Sequence, residues 1–168
     1  MDKVGVVFGC FIPLHKGHLS LIDKALKNDR VIIGVCGYDL DRGKDFIPFK
    51  DRIELIKEIF KDNKFKVSVV DDHKIGLTGK FDLESWKLWC DELFKNADLD
   101  PLENEITWYL GEQSYLEMLK KIYPKHTFEL VERTVIPVSG TMIRENPKEN
   151  IKEIHPVFIK YLKEKNII

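Results

Sequence analysis

The sequence predicts an α/β fold, namely a doubly wound parallel sheet with helices on both of its faces. Short apolar runs of strand character alternate along the chain with stretches whose apolar residues recur at helical spacing. Such an alternation indicates right-handed βαβ crossovers, which cover both faces of a parallel sheet with helices. The run at residues 31–37 is apolar throughout, as expected for a strand that is buried on both sides.

Five strands and six helical segments are expected along the chain. The strands are expected at residues 4–9, 31–37, 65–70, 105–110 and 127–131. Helical spacing predicts helices at residues 17–27, 50–60, 83–94 and about 114–122, a short helix start at 139–145, and a final helix at 151–164. Because no repeat, low-complexity segment or obvious linker interrupts this pattern, we expect one domain over residues 1–168, with the final helix on its core.

Apolar stripes on the first three helices support these assignments, because each stripe would pack against the sheet. The stripes are Leu19, Leu21, Ile22, Ala25 and Leu26 in the first helix, Ile53, Leu55, Ile56, Ile59 and Phe60 in the second, and Trp86, Trp89, Cys90 and Leu93 in the third.

The bulk composition excludes a broad charged surface. With a formal net charge of −1, the chain shows nothing that argues for a nucleic-acid or membrane partner.

Cys10, Cys36 and Cys90 are widely spaced and form no C-x-x-C pair, which favours reduced thiols. The sequence shows no signal-peptide pattern, and no segment approaches the roughly 20 apolar residues of a membrane span. We therefore expect a cytoplasmic protein.

The most informative segment follows the first strand, where residues 9–18 have the sequence G-C-F-I-P-L-H-K-G-H. At this position an α/β sheet binds phosphates, because free backbone N–H groups and the positive end of the helix dipole point at the ligand. Gly17 is expected to let the backbone turn tightly into the helix. His15 and His18 can point toward one anionic group. A metal-binding pair, or two incidental surface histidines, is the alternative for an isolated H-x-x-H.

A second segment with phosphate-binding character lies near the other end of the chain, where residues 138–144 have the sequence V-S-G-T-M-I-R. Ser139 and Thr141 can cap a helix while offering hydroxyls and backbone N–H groups to phosphate. Arg144 can clamp a polyphosphate with its two-pronged guanidinium. Taken alone, the segment is simply a capped helix with a surface arginine. Taken with the first segment, it is the other half of a phosphate cradle.

Together, the two segments resemble the signatures G-x-F-x-P-x-H-x-G-H and I-S-S-T-x-x-R of the H-x-G-H nucleotidyltransferase superfamily. The first is matched in full; in the second, Gly140 replaces a serine, which removes one hydroxyl and keeps the backbone donors. Within the superfamily the chain is most similar to the nicotinamide-mononucleotide adenylyltransferase domain of the NadR family. The similarity spans nearly the whole chain, with P-L-H at 13–15, G-Y-D at 37–39, W-K-L-W at 86–89 and S-G-T-M-I-R-E-N-P at 139–147.

The resemblance implies a Rossmann-like fold of the nucleotidyltransferase type and an enzyme that uses ATP. The implied reaction transfers AMP from ATP to nicotinamide mononucleotide and yields NAD and pyrophosphate. Mg²⁺ is expected to arrive with ATP, because the sequence shows no dedicated carboxylate cluster for a protein-held metal. A phosphate dianion is already a competent nucleophile, so the protein has to align two phosphates and stabilise charge rather than supply a base. Families of this kind often assemble, so a homo-oligomer is one expectation.

The resemblance also implies roles for single residues. His18 would act at the α-phosphate, His15 and Lys16 at the phosphates and the leaving group, and Arg144 at the β- and γ-phosphates; His15, His18 and Arg144 are the catalytic candidates. The ATP-binding candidates are Gly9, Cys10, Phe11, Lys16, Gly17, Gly111, Ser139 and Thr141. For Gly111, an ordinary strand-to-helix turn is the alternative.

The candidates for binding nicotinamide mononucleotide lie in two other segments. Trp86 and Trp89 are expected to stack on the cationic pyridinium ring, with Trp86 the first choice; tryptophans on a helical stripe are otherwise core residues. Tyr38, Asp39 and Arg42 follow the second strand and either line this site or belong to a solvated loop.

Two other functions stay open from the sequence. A sibling transferase would use the same cradle with nicotinic acid mononucleotide, phosphopantetheine or another phosphorylated acceptor. A non-catalytic nucleotide sensor would keep the cradle without turnover, although intact His15, His18 and Arg144 argue against it.

Overall fold

The computed structural model describes residues 1–37, 46–72, 74–76, 82–131 and 139–168, and within them the chain forms one five-stranded parallel sheet. The strands are β1 (Lys3–Gly9), β2 (Arg30–Cys36), β3 (Phe65–Val70), β4 (Glu105–Leu110) and β5 (Thr127–Leu130). The helices are α1 (Lys16–Ala25), α2 (Phe49–Ile59), α3 (Leu83–Asn96), α4 (Gln113–Ile122), α5 (Gly140–Glu145) and α6 (Pro156–Glu164).

The strand order β3-β2-β1-β4-β5 creates a switch point between β1 and β4. The chain runs from β1 outward through β2 to β3 and then crosses to β4 on the other side of β1. In open α/β sheets the crevice outside the carboxyl ends of such a strand pair is where ligands bind. The segments that follow β1 and β4 therefore border the expected ligand site.

Two apolar cores cover the two faces of the sheet, because neighbouring residues of a strand point to opposite sides. In β1, Val4 and Val6 belong to the core that includes residues of α3 and α4. Val7 belongs to the core that includes residues of α1, α2 and α6. The predicted fold class, a doubly wound parallel sheet with helices on both faces, is confirmed. Among the helices of the described residues, none has both the length and the apolar character needed to cross a bilayer.

The final helix differs from its predicted bounds. Residues 151–164 are not one helix: a 3₁₀ turn at Ile151–Glu153 is followed by α6, which starts at Pro156. Proline lacks a backbone N–H and is tolerated in the first helical turn, so the helix begins there rather than before it. His155 caps it by accepting a hydrogen bond at Nδ1 from the backbone N–H of Val157 at 3.1 Å.

A half-buried histidine outside any sequence motif connects β4 to the segment before β5. The Trp108 indole N–H donates to Nδ1 of His126 at 3.0 Å, and Nε2 of His126 lies 2.8 Å from the Pro101 carbonyl oxygen. The Tyr123 ring stacks on the imidazole at 4.2 Å between centroids. Since Nδ1 accepts, the ring proton is on Nε2 and the imidazole is neutral. Burial lowers the pKa of His126, and the hydrogen bond to the Pro101 carbonyl raises it by less.

We expect the free energy of unfolding to fall as the pH drops below the ordinary histidine pKa of about 6.5. In this pH range the histidine of the unfolded chain binds a proton, whereas the imidazole of the folded chain stays neutral. The free energy of unfolding stops falling once the pH is below the lowered pKa of His126 in the folded chain. Urea unfolding of the wild type and His126→Gln between pH 5.5 and 7.5 checks this. The variant should show a shallower slope, with a remainder from His155, whose pKa is also lowered by burial. Identical slopes would contradict the assignment to His126.

Candidate active site

The segment between β1 and α1 contains a reversal, which consists of the left-handed residue Phe11 and a turn at Ile12 and Pro13. Phe11 has a φ of 56°, and the Ile12–Pro13 peptide bond is cis. A left-handed conformation at a residue other than glycine costs of order 1–3 kcal/mol and persists only where the surroundings hold it, often at functional sites. Gly17 lies inside α1 and the expected tight turn at Gly17 is made instead at Phe11. The side chain of Phe11 is buried, which anchors the reversal in the core.

His15 and His18 cap α1 reciprocally. The Nδ1 of His15 accepts from the backbone N–H of Gly17 at 3.0 Å, and the Nδ1 of His18 accepts from the backbone N–H of His15 at 3.3 Å. Their rings stack with 3.9 Å between centroids. Since both Nδ1 atoms accept, each neutral ring carries its proton on Nε2, the nitrogen that can donate to an anionic oxygen. The histidine pair is therefore held in one tautomer by the helix that it caps.

Gly9 makes room for His18 at the end of β1. A Cβ at position 9 would lie 3.3 Å from Nε2 of His18, closer than most real Cβ contacts. The Phe11 ring also contacts the His18 imidazole, in an edge-on arrangement with 4.8 Å between centroids. The imidazole of His18 is thus lodged between the end of the central strand and the reversal at Phe11.

The second predicted segment reaches the first through Arg144. Its Nη1 donates to the Ile12 carbonyl oxygen at 2.9 Å, and its Nη2 donates to the Thr141 hydroxyl at 3.2 Å. Ser139 is the N-cap of α5 and accepts from the backbone N–H of Met142 at 3.2 Å. The structure therefore brings the guanidinium, both hydroxyl-bearing residues and the reversal after β1 together at the carboxyl edge of the sheet.

Gly140 stands where the I-S-S-T-x-x-R signature has its second serine, and it lies directly beside the guanidinium of Arg144. A Cβ at position 140 would be 2.8 Å from Nη1 of Arg144 and 3.3 Å from the Ile12 carbonyl oxygen. With a side chain at position 140, Arg144 would have to shift away from its present contact. The hydrogen bond from Arg144 to the Ile12 carbonyl in its present geometry therefore depends on the absence of a side chain at position 140.

Arg52 is a site-bordering residue that the sequence reasoning missed. It is fully buried in α2, and its Nη1 donates to the Cys10 carbonyl oxygen at 2.7 Å. Its Nε donates to the Ile47 carbonyl oxygen at 3.1 Å. The signal in the sequence is its spacing, four residues before buried Ile56, which puts the arginine on the apolar stripe of the helix.

The two tryptophans of α3 lie in an aromatic cluster beside the end of β1. Trp89 is only 8% exposed and packs edge-on against Phe8 at 5.0 Å, so it belongs to the core. Trp86 is partly exposed and lies 5.9 Å from Trp89 and 5.4 Å from Tyr115 between ring centroids. Of the two, Trp86 has the surface available for a ligand ring.

The remaining candidates are divided between the described crevice and residues outside it. Gly111 follows β4 at the switch point, and a Cβ there would meet no atom of the described residues within 4 Å. Protein packing therefore does not demand a glycine at this position, whereas a close-lying ligand would. Lys16 is exposed at the start of α1. Tyr38, Asp39 and Arg42 lie outside the described residues.

The thiols of Cys36 and Cys90 are buried in the core. Burial, with the nearby Cys10 and Asp72, raises the pKa of the Cys36 thiol, and burial also raises the pKa of Cys90. A thiol with a raised pKa is a poor nucleophile at neutral pH. Neither thiol is therefore suited to act as a nucleophile.

Comparison with known proteins agrees with this geometry. The sequence matches the cytidylyltransferase-like family over residues 6–164. It is 34% identical over 115 residues to the probable nicotinate-nucleotide adenylyltransferase of Fusobacterium nucleatum, covering 67% of this chain and 55% of the relative.

Two solved structures of NadR protein are also similar. One, in complex with NR, has a TM-score of 0.76 and 33% identity, covering 93% of this chain and 44% of that one. The other, in complex with NAD and AMP-PNP, has a TM-score of 0.71 and 34% identity, covering 94% and 46%. The chain thus spans about half the length of these relatives. The resemblance inferred from residues 9–18 and 138–144 is confirmed, and the chain belongs to the cytidylyltransferase-like family.

Proposed function

We propose that this chain transfers AMP from ATP to nicotinamide mononucleotide and forms NAD and pyrophosphate. One observation carries the proposal: the Arg144 guanidinium donates to the Ile12 carbonyl inside the same reversal that leads into the His15–His18 pair. Groups that can donate to phosphate thus come together from two ends of the chain beyond the end of β1, one of the two strands at the switch point. The NadR structures with NAD and AMP-PNP and with NR support a pyridine nucleotide as the acceptor.

In the proposed reaction, the 5′-phosphate of the mononucleotide attacks the α-phosphorus of ATP, and pyrophosphate leaves from the opposite side. One P–O bond forms as the other breaks. Because the attacking phosphate is already a dianion, no proton has to be removed from it. His18 donates from Nε2 to an α-phosphate oxygen, where charge grows in the transition state. His15 and Lys16 position the phosphates and stabilise the leaving group. Ser139, Thr141 and Arg144 hold the β- and γ-phosphates.

The backbone of the β1–α1 segment completes the proposed ATP site. Gly9, Cys10 and Phe11 present main chain at the edge of the sheet, and Gly17 lies in the first turn of α1, where the positive end of the helix dipole attracts an anion. Gly111 leaves space at the end of β4, so that the adenosine can approach the main chain there.

Mg²⁺ is proposed to enter with ATP. The described part of the crevice offers imidazoles, hydroxyls and a guanidinium, which bind phosphate rather than a hard cation. No group of three or more His, Cys, Asp or Glu suited to a metal is found among the described residues. When bound to the phosphates, the ion would neutralise part of their charge, and Ser139 and Thr141 would hold the β- and γ-phosphates that carry it.

Turnover with three acceptors tests the proposal. The wild-type chain is incubated with ATP, Mg²⁺ and nicotinamide mononucleotide, nicotinic acid mononucleotide or phosphopantetheine, and pyrophosphate and the adenylylated product are quantified. We expect the highest kcat/KM with nicotinamide mononucleotide. A higher value with either of the others would assign the chain to a sibling transferase. ATP binding without product from any acceptor would favour a nucleotide sensor.

Replacing Trp86 with leucine is expected to raise the KM for nicotinamide mononucleotide by about 2- to 30-fold, the equivalent of a 0.5–2 kcal/mol cation–π contact. The KM for ATP should not change, because the indole lies in α3 rather than in the phosphate cradle. Steady-state kinetics with each substrate varied in turn provides the measurement. Trp86→Phe should retain much of the affinity, and Trp89→Leu should mainly lower thermal stability. An unchanged acceptor KM in Trp86→Leu would remove Trp86 from the site.

A further inference from the structure

Arg52 holds a permanent positive charge beneath the reversal that follows β1. Its side chain is fully buried, and its guanidinium spans two carbonyl oxygens, that of Cys10 at 2.7 Å and that of Ile47 at 3.1 Å. The Phe49 ring lies 5.1 Å from its central carbon. Burying a charge is unfavourable unless hydrogen bonds replace its hydration. The buried charge of Arg52 is therefore stabilised by its hydrogen bonds to the Cys10 and Ile47 carbonyls, and these bonds hold the two backbone segments in place.

The carbonyl of Cys10 belongs to the peptide unit that precedes Phe11. Phe11, with its left-handed φ of 56°, directly follows that peptide, so the plane of the peptide and the conformation of Phe11 share one backbone bond. Phe11 in turn contacts the His18 imidazole edge-on at 4.8 Å. A short chain of contacts therefore runs from the guanidinium of Arg52, through one peptide plane and one aromatic ring, to the imidazole proposed to act at the α-phosphate.

We propose that Arg52 is a positioning residue for adenylyl transfer, acting through the Cys10 carbonyl on the orientation of Phe11 and His18. The proposal rests on the proposed function. Arginine suits this task because its planar fork donates in two fixed directions at once. A lysine would keep the charge and one donor but could not hold both the Cys10 and Ile47 carbonyls in the same geometry.

The kinetic arm of the test compares Arg52→Met and Arg52→Lys with Ile56→Ala. Ile56 is fully buried in the same helix and belongs to the same apolar core as Phe11, so its truncation lowers stability but leaves the hydrogen bonds of Arg52 to the Cys10 and Ile47 carbonyls in place. Assays are run well below the lowest melting temperature in the set. We expect kcat to fall about tenfold or more in Arg52→Met, less in Arg52→Lys, and to stay within about twofold in Ile56→Ala. The KM for the acceptor should stay nearly constant throughout.

The spectroscopic arm needs no turnover. Nitrogen-15 NMR of the histidine side chains, without substrates, reports the tautomer and hydrogen bonding of His15 and His18. We expect the His18 signals to shift in both Arg52 variants and to stay at wild-type positions in Ile56→Ala. If Arg52→Met does not fold, Arg52→Lys provides the same comparison.

The two arms separate the possible failures. Unchanged His18 signals in a folded Arg52 variant would overturn the positioning role, and so would an equal loss of kcat in Ile56→Ala. A wild-type chain that makes no adenylylated product would overturn the proposed function, while the NMR comparison would still decide whether Arg52 sets the geometry of His18.

Discussion

Replacing His18 with glutamine is expected to lower kcat for pyrophosphate release by about 10²- to 10³-fold. The imidazole Nε2–H is the donor proposed for the α-phosphate oxygen, and its loss removes a contact that strengthens as charge develops. Glutamine is chosen because position 18 is the third residue of α1, where glutamine serves in a capping box. It can still accept from the His15 backbone N–H, so the start of the helix should survive the change.

His155→Asn provides the matched control for this substitution. His155 also caps a helix through Nδ1, but it does so at the start of α6. Asparagine is a good N-cap, so this variant loses an imidazole while keeping its cap. We expect its kcat to stay within about twofold of the wild type. Retention of more than a tenth of the wild-type kcat by a folded His18→Gln would refute the role of His18, as would an equal loss in the control.

Replacing Arg144 with lysine is expected to lower kcat/KM for ATP by about 100-fold, in the range of a lost hydrogen bond between charged groups. Lysine keeps the charge, so the expected loss measures the two-pronged geometry that now joins the Ile12 carbonyl to the Thr141 hydroxyl. The KM for nicotinamide mononucleotide should change little, because the guanidinium is assigned to the β- and γ-phosphates.

The control makes the same exchange at Arg30. Its Nη2 lies 3.1 Å from Asp2 in a partly exposed ion pair at the start of β2, the end of the sheet opposite the crevice. Exposed pairs of this kind contribute little to stability. We expect Arg30→Lys to keep kcat/KM for ATP within about twofold. If Arg144→Lys also kept kcat/KM for ATP within about twofold of the wild type, the assignment of Arg144 to the β- and γ-phosphates of ATP would be wrong.

The fold could be predicted from the sequence because its signals are local. The expected strands at 65–70 and 105–110 coincide with β3 and β4, since both segments are rich in β-branched and aromatic residues, which favour strands. The break before α6 is also local, and Pro156 is its signal. The match of residues 9–18 to a known signature likewise depends only on neighbours in the chain.

The roles within the site depend on contacts that no local pattern contains. The hydrogen bond from Arg144 to Ile12 joins residues 132 positions apart, and that from Arg52 to Cys10 joins residues 42 apart. Whether an arginine on a helix faces water or a buried carbonyl is decided by the element packed against it. The same holds for Trp86 and Trp89, which have similar sequence surroundings and different exposure.

The sequence by itself determined the sheet, most of its helices and the two segments proposed to bind phosphate, because spacing and residue type act over a few neighbours. Only the tertiary structure decided that β1 lies beside β4, that Phe11 rather than Gly17 makes the reversal, and that the two segments meet through Arg144. These three features depend on contacts between residues that are far apart in the sequence. Such contacts are decided by how the helices and strands pack together, which no short stretch of sequence contains.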